Sequence, residues 1–198
     1  MPSTLSWLDH DADARERMDR FLALFEERGT MDELGLGAIR DAFSDRLFPG
    51  TSTIQTRLRY FLLVPWVYET LESRRVRSDE IAEAARELEY RVTESLKNSD
   101  DQEGVFGREA GRRLKRLASD VYWGGLGEWG IRRYDGSKSR YHEALDAIYR
   151  HRRRLADQSD NGGPDVDPFS RTWHPGLPEP PDSFPEGLTL ALTREEAE

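Results

Sequence analysis

The stretch 33–71 constrains the fold more than any other part of the chain, because two apolar helical patterns meet there at a Pro-Gly corner. Just after the corner, Ser52 and Gln55 have the spacing of a capping box, in which each side chain bonds the other residue's free backbone N–H. Pro65 lies inside the second pattern and predicts a kink near Leu62. The apolar residues of this pattern recur on one helical face, which must therefore be buried. They are Ile54, Leu58, Phe61, Leu62 and Leu71.

Helical periodicity continues on both sides of this stretch. Ser78 precedes one amphipathic pattern and is expected to cap its helix. The whole set predicts an all-α fold, a six- or seven-helix orthogonal bundle with a helix-turn-helix-like segment and a Pro-rich C-terminal extension. The predicted helices span 11–28, 37–47, 52–73, 78–97, 107–118, 119–129 and 139–155.

The C-terminal part of the chain has a different composition. Seven of the ten prolines lie between Pro164 and Pro185, which predicts a linker or a strap across the surface. The run 188–192 alternates like a strand, and Thr193 and Glu196 have capping-box spacing just before the sequence ends. We therefore expect the natural protein to continue beyond this chain. The predicted domains are 1–155, helical; 156–187, linker or strap; and 188–198, the start of a further element.

Composition narrows the function classes. The chain has 198 residues, enough for one domain with a core, and a net charge of −9. It contains no cysteine, which excludes disulfides, thiolate zinc sites and a cysteine nucleophile. No apolar run approaches the ~20 residues of a membrane span, and the acidic N-terminus does not resemble a secretion signal. We expect a cytoplasmic protein that does not enter a membrane.

The charge changes sign in the middle of the chain. Residues 104–154 hold 13 Lys and Arg against 6 Asp and Glu, a net charge of +7. Basic residues around a helix, a tight turn and a second helix are compatible with docking on nucleic acid, with an affinity that falls steeply as salt rises. The candidate nucleic-acid-binding residues are Arg108, Arg112, Arg113, Lys115, Arg116, Arg132, Arg133, Arg150, Arg152, Arg153 and Arg154.

A charge run is a weak signal, and two other interpretations stay open. The basic face is either solvated and neutralised by the acidic remainder of the molecule, or it docks an acidic protein partner. The aromatic residues inside the basic segment also have two interpretations. They either stack on bases or pack in the core against the Pro65 helix, and their helical spacing favours the core. They are Tyr122, Trp123, Trp129 and Tyr134.

The corner after Phe48 is a second candidate site, for an anion. A helix N-terminus offers free N–H groups and positive potential, and hydroxyls and arginines lie nearby. The alternative is ordinary capping, with both arginines paired to acids of neighbouring helices. The residues concerned are Thr51, Ser52, Thr53, Arg57 and Arg59.

The search for catalytic chemistry gives no constellation. His10 lies among acids that are ordinary for a helix start, and His142 and His151 lack the pairing of a zinc-protease helix. No serine lies in a nucleophile elbow. We predict no metal site, no cofactor and no catalytic residue, which favours a non-enzymatic protein.

Two stretches carry a family resemblance: LGLGAIRDAFSDRLFPGTSTIQTRLRYFLLVPW and GREAGRRLKRLASDVYWGGLGEWGIRRY. Across roughly residues 4–155 the chain resembles an uncharacterised prokaryotic domain-of-unknown-function family, number 6361 in that series. The resemblance implies that this chain is the N-terminal part of a longer protein. It also implies an accessory role in a phage-defence system, and it supplies no catalytic residues.

Together these observations predict a nucleic-acid-binding or accessory module that uses its Arg-rich face. One alternative is an interaction subunit for an acidic protein. Another is the N-terminal fragment of an enzyme whose active site lies in a missing C-terminal part.

Overall fold

The computed structural model describes residues 36–158 and 171–197, and within these ranges the regular structure is helical. The all-α prediction is confirmed. The predicted helix at 11–28 lies outside the described residues. The helices are α1 Leu36–Leu47, α2 Tyr60–Ser73, α3 Ile81–Lys97, α4 Ala118–Glu128, α5 Lys138–Gln158 and α6 Arg194–Ala197, with a 3-10 turn at Gly111–Arg113.

The chain divides into two compact units, Met1–Leu47 and Phe48–Glu198, and α1 belongs to the first of them. In the second unit α2 is the central helix. Its apolar residues are buried on nearly all sides, as expected for a helix that is hydrophobic all round, and it continues through Pro65.

The prediction that this helix opens at Ser52 is wrong. The Ser52 amide does donate to Gln55 Oε1 at 3.2 Å, but Ser52 Oγ accepts from the nearer Ile54 amide at 3.3 Å. A hydroxyl that bonds the backbone two residues on stabilises a turn rather than a helix start. The segment before Tyr60 is accordingly built of turns.

Helix α3 follows its predicted pattern. Its inward-facing residues are all buried, so this prediction is confirmed: Ile81, Ala85, Leu88, Val92 and Leu96. The predicted capping role of Ser78 is wrong, because its hydroxyl donates to Asp146 Oδ2 at 2.7 Å and links the start of α3 to α5.

The predicted helix at 107–118 is also wrong. Gly107 and Gly111 have φ values of +74° and +51°, which a continuous right-handed helix does not allow. The segment therefore forms turns around the short Gly111–Arg113 turn of 3-10 helix. Residues 129–137 then connect α4 to α5, a longer link than the three- or four-residue turn of a helix-turn-helix. The predicted helix-turn-helix-like segment is not confirmed.

The C-terminal segment packs into the same core as α2 to α5. Trp173, Leu188 and Leu190 are each at most 4% exposed. The predicted strand at 188–192 is wrong: in the described ranges the only bridge between extended residues joins Arg132 and Trp173. The predicted domain boundaries stay predictions.

The capping box at the end of the chain is confirmed. The Thr193 amide donates to Glu196 Oε2 at 2.7 Å, and the Glu196 amide donates to Thr193 Oγ1 at 3.2 Å. These reciprocal bonds begin α6.

Across residues 36–158 and 171–197, none of the helices combines the length and the apolar composition that crossing a membrane requires.

Candidate functional site

A polar groove of about 460 Å³ lies where the end of α2, the second half of α5 and the segment 171–179 meet. Its lining mixes both signs of charge with an aromatic ring and a proline. The charged and titratable groups in the lining are Glu69, Glu72, Arg152, Arg171, His174 and Glu179.

Backbone pairing brings the segment 171–174 to this place. The Arg133 amide donates to Thr172 O, and the His174 amide donates to Ile131 O, each at 2.8 Å. The Trp173 side chain then enters the aromatic core and contacts Tyr68 at a ring distance of 6.0 Å. The segment is thus fixed to the α4–α5 connection on one side and to the core on the other.

Glu72 lies at the base of the groove with its side chain 6% exposed. Its Oε1 atom accepts hydrogen bonds from the Tyr141 hydroxyl, the Thr172 hydroxyl at 2.6 Å and the Trp173 indole at 3.0 Å. Its Oε2 atom accepts from Arg152 Nη1 at 2.6 Å. A buried carboxylate with four donors, one of them a cation, is fully compensated, so Glu72 holds three segments of the chain together.

Glu69 lies one helical turn before Glu72 but lacks the hydrogen bonds that Glu72 accepts from the described residues. It is half-buried, and its carboxylate has no hydrogen-bond or ion-pair partner among the described residues. Burial, followed by the charges of Glu72 and Glu179, raises the pKa of Glu69 to about 7. Near neutral pH this carboxyl is therefore poised between its charged and neutral forms.

His174 and Arg171 supply donors to the same groove. His174 Nδ1 accepts from the Gly176 amide at 3.1 Å, so the neutral imidazole carries its proton on Nε2. Arg171 is exposed and forms no ion pair within the described ranges. Among the described residues, the groove therefore offers a carboxylate acceptor and N–H donors that have no hydrogen-bond partner.

The raised pKa of Glu69 predicts how stability depends on pH. A carboxyl that ionises near pH 4.5 when unfolded and near pH 7 when folded makes the protein less stable as pH rises between these values. We expect Glu69→Gln to increase the free energy of unfolding above pH 7 and to leave it unchanged below pH 4.5. Urea unfolding of both proteins across this pH range measures the difference. If the free energies of unfolding of the two proteins changed with pH in the same way, the raised pKa of Glu69 would be contradicted.

The candidate nucleic-acid-binding residues form three groups along the chain, 108–116, 132–133 and 150–154, and the structure brings the last two together. Arg133 pairs with Thr172 through its backbone, and Arg152 Nη2 donates to Thr172 Oγ1 at 3.0 Å. On the same end of α5, three further arginines are exposed and form no ion pair with another described residue. They are Arg150, Arg153 and Arg154.

Arg132 has a structural role beside this group. Its guanidinium lies over the Trp123 ring at 5.0 Å, and it donates to the carbonyls of Trp123 and Tyr134. Half-burial lowers the pKa of Arg132. The Arg132 side chain therefore stabilises the turn after α4.

The remaining group, 108–116, packs against α3. Arg112 forms a two-bond pair with Glu87 at 2.7 and 2.8 Å, and its carbonyl accepts from the Tyr90 hydroxyl. The Tyr60 hydroxyl accepts from the Phe106 amide, which places the start of this segment at the first residue of α2. At 1.5 Å per residue, the groove at Glu72 is roughly 18 Å further along that helix. The other basic members of the group are Arg108, which lies 3.8 Å from Glu109, and the exposed Arg113, Lys115 and Arg116.

Both arginines of the candidate anion site have partners within the chain. Arg57 Nη2 donates to Asp101 at 2.9 Å, and its Nε donates to Glu103 O. Arg59 is 6% exposed and donates to the carbonyls of the C-terminal segment. In the turn, Thr51 Oγ1 donates to Phe48 O, and Ser52 and Thr53 are exposed. Anion binding at this corner stays a prediction.

Sequence reasoning missed the groove. One signal was available: Glu69 and Glu72 are the only charged residues in an otherwise apolar α2, and a buried acid demands a partner. Its partners could not be named, since Arg152 and Thr172 lie 80 and 100 residues further along the chain. The prediction that the aromatic residues pack against the Pro65 helix is confirmed for Tyr122 and Trp123, which are buried against α2.

Within residues 36–158 and 171–197, no group of three or more His, Asp and Glu side chains is arranged to hold a metal ion.

The protein is therefore an all-α domain in which the C-terminal segment completes the core and forms one side of a charged groove. A model of a family of unknown function, DUF6361, matches residues 2–197, and the chain belongs to this family. The match therefore includes the C-terminal segment as well as the helices before it. Comparison with curated proteins and with solved structures found no match.

Proposed function

We propose that this protein is a non-enzymatic module that binds nucleic acid through the arginines around the groove. The observation that carries the proposal is the convergence on Thr172 of two basic groups that are distant in sequence. We define the arginine rim as Arg171, which lines the groove, Arg133, whose backbone pairs with Thr172, and Arg150, Arg153 and Arg154, which lie at the same end of α5 as Arg152 but outside the groove lining. All five are exposed and form no ion pair in the described ranges.

The arginines of the rim form no ion pair with the acids of the described residues, although the whole protein has a net charge of −9. Arg112, by contrast, shows how this chain neutralises an arginine, with a two-bond pair to Glu87. Guanidinium groups bind phosphate oxygens with the same planar geometry. Such contacts release counterions, so the affinity falls linearly with salt on a logarithmic scale.

Charge reversal on α5 tests the proposal. The triple variant Arg150→Glu, Arg153→Glu and Arg154→Glu is expected to weaken binding to labelled DNA and RNA by more than about tenfold at low salt. It is also expected to reduce the slope of log affinity against log salt by about 2 to 3, one unit for each lost phosphate contact. Fluorescence anisotropy across a salt series measures both quantities.

A matched control has the same change of charge elsewhere. Arg113→Glu, Lys115→Glu and Arg116→Glu reverses three exposed cations of the segment 108–116, which does not line the groove. We expect this control to bind more tightly than the α5 variant. Equal losses in the two variants would show that only net charge matters, and no binding by the wild type at low salt would refute the proposal in favour of an acidic protein partner.

A further inference from the structure

The groove contains hydrogen-bonding groups that phosphate contacts would leave unused. Glu69 supplies two acceptor oxygens that no described residue bonds. His174 Nε2–H and the Arg171 guanidinium supply donors in the same groove. A ligand that satisfies this lining must present neighbouring N–H donors next to a carbonyl acceptor. Pro175 is exposed in the same groove and offers an apolar surface on which a flat ligand can lie, whereas the Trp173 ring is packed in the core.

We propose that the groove binds a guanine base, presented either by single-stranded nucleic acid or by a free guanine nucleotide. For the nucleic-acid source, the inference rests on the function proposed above. Unpaired bases are recognised through hydrogen bonds to their Watson–Crick edges, with their phosphates held by neighbouring basic side chains.

The donor pattern selects guanine among the bases. The guanine Watson–Crick edge places N1–H and the N2 amino group side by side, so one carboxylate accepts from both, and O6 lies beside them to accept from an imidazole or guanidinium N–H. Uracil and thymine flank their single N–H with two carbonyls, which a carboxylate repels. Cytosine and adenine present one amino group next to a ring acceptor, so only one carboxylate oxygen is used.

Glu69 is the acceptor best suited to this role. Glu72 already accepts from four donors and has no capacity for a ligand without losing one of them. Glu179 is exposed at the groove edge, where water competes for its oxygens. The same carboxylates repel phosphate from the interior, which leaves the phosphates to the arginine rim.

Titration with free nucleotides tests the inference without relying on nucleic-acid binding. In the ¹⁵N-labelled protein, GMP is expected to shift the signals of the Trp173 indole N–H and the Gly176 amide, because these groups bond Glu72 and His174, which line the groove. AMP, CMP and UMP are expected to bind at least about tenfold more weakly, the scale of one two-bond contact. Glu69→Gln keeps the side-chain shape and removes one acceptor, and it should abolish the preference for GMP.

The pH dependence of GMP affinity is a further test, because a merely structural role of Glu69 would not produce it. The other titratable and charged groups around the carboxyl are Glu72 on α2, Arg152 on α5, and Arg171, His174 and Glu179 on the segment 171–179. Two acceptor oxygens are available only in the ionised form, so GMP affinity should fall as pH is lowered through about 7. The Glu69→Gln protein should lose this dependence. Absence of any GMP-dependent shift in the wild type, or shifts of equal size with all four nucleotides, would overturn the inference.

Oligonucleotides separate the two sources of the base. Oligo(dT) and the same oligomer with one central dG are compared by anisotropy, with the α5 charge-reversal variant as the control for the rim. Tighter binding of the dG oligomer, lost in Glu69→Gln while oligo(dT) binding persists, supports recognition within a strand. GMP shifts without oligonucleotide binding would refute the proposed function and assign the groove to a free nucleotide. Oligo(dT) binding without any guanine preference or GMP shift would refute the groove inference and leave the proposed function standing.

Discussion

Replacing Glu72 by alanine is expected to lower the free energy of unfolding by about 3–5 kcal/mol, the cost of breaking a buried ion pair from one side. The substitution removes the acceptor for the Tyr141 and Thr172 hydroxyls and the Trp173 indole, and all three residues are buried. It also leaves the Arg152 guanidinium next to a space that no longer holds its counter-charge. Unsatisfied buried donors cost more than a hydrogen bond contributes when it is made.

Thermal unfolding measures this loss. In a domain of this size each kcal/mol lowers the Tm by about 2–4 °C, so the expected decrease is on the order of 10 °C. Glu69→Gln is the matched control, because it changes the neighbouring acid of the same helix, which has no partner among the described residues. The control should not lower the Tm. A Glu72→Ala protein that melts within 2 °C of the wild type would show that the network contributes little.

A double-mutant cycle separates the ion pair from the hydrogen bonds. Arg152→Met removes the charge and keeps the apolar stem, and its side chain is 28% exposed. If the pair carries much of the loss, Arg152→Met combined with Glu72→Ala should cost clearly less than the two single losses added together. Additive losses would assign the effect of Glu72 to its three hydrogen bonds alone.

Sequence predicts the parts of this fold that depend on local periodicity. Helix α3 and helix α5 were expected near their observed positions, because apolar residues at three- and four-residue spacing leave a polar face to solvent and bury the other. Leu145 and Ile148, for example, are almost completely buried on α5. The capping box of Thr193 and Glu196 was equally visible, since both of its bonds lie within four consecutive residues.

The errors have a different physical origin. A single hydroxyl or glycine decides whether a local pattern becomes a helix, as Ser52 and Gly107 show, and periodicity does not reveal that choice. The groove depends on contacts between residues that are 80 or more positions apart, such as Glu72 with Arg152. An acid in the buried part of α2 requires a partner, but only the folded chain shows that Arg152 pairs with Glu72 and that Glu69 has no partner among the described residues.

Arg59 allows the strongest test of how the C-terminal segment is held. Its Nη1 atom donates to the carbonyls of Thr189 and Ala191, and its Nη2 atom donates to Glu196 at 2.6 Å. The two charged side chains are only 6% and 9% exposed. Arg59→Met keeps a long apolar side chain but leaves Glu196 as a buried charge without its cation, which is expected to cost about 3–5 kcal/mol.

The loss should begin as a local opening of the segment that Arg59 holds. Leu188 and Leu190 lose their attachment to the core when the carbonyls beside them lose their donor. Hydrogen exchange followed by mass spectrometry is therefore expected to show faster exchange across 188–197 than across α3 in the Arg59→Met protein. Arg57→Met is the matched control, since Arg57 and Asp101 form a pair that is 32% and 45% exposed. Pairs of that kind contribute about 0–1 kcal/mol, so the control should exchange like the wild type. Equal protection of 188–197 in Arg59→Met and wild type would mean that the apolar contacts of Leu188 and Leu190 hold the segment without the arginine.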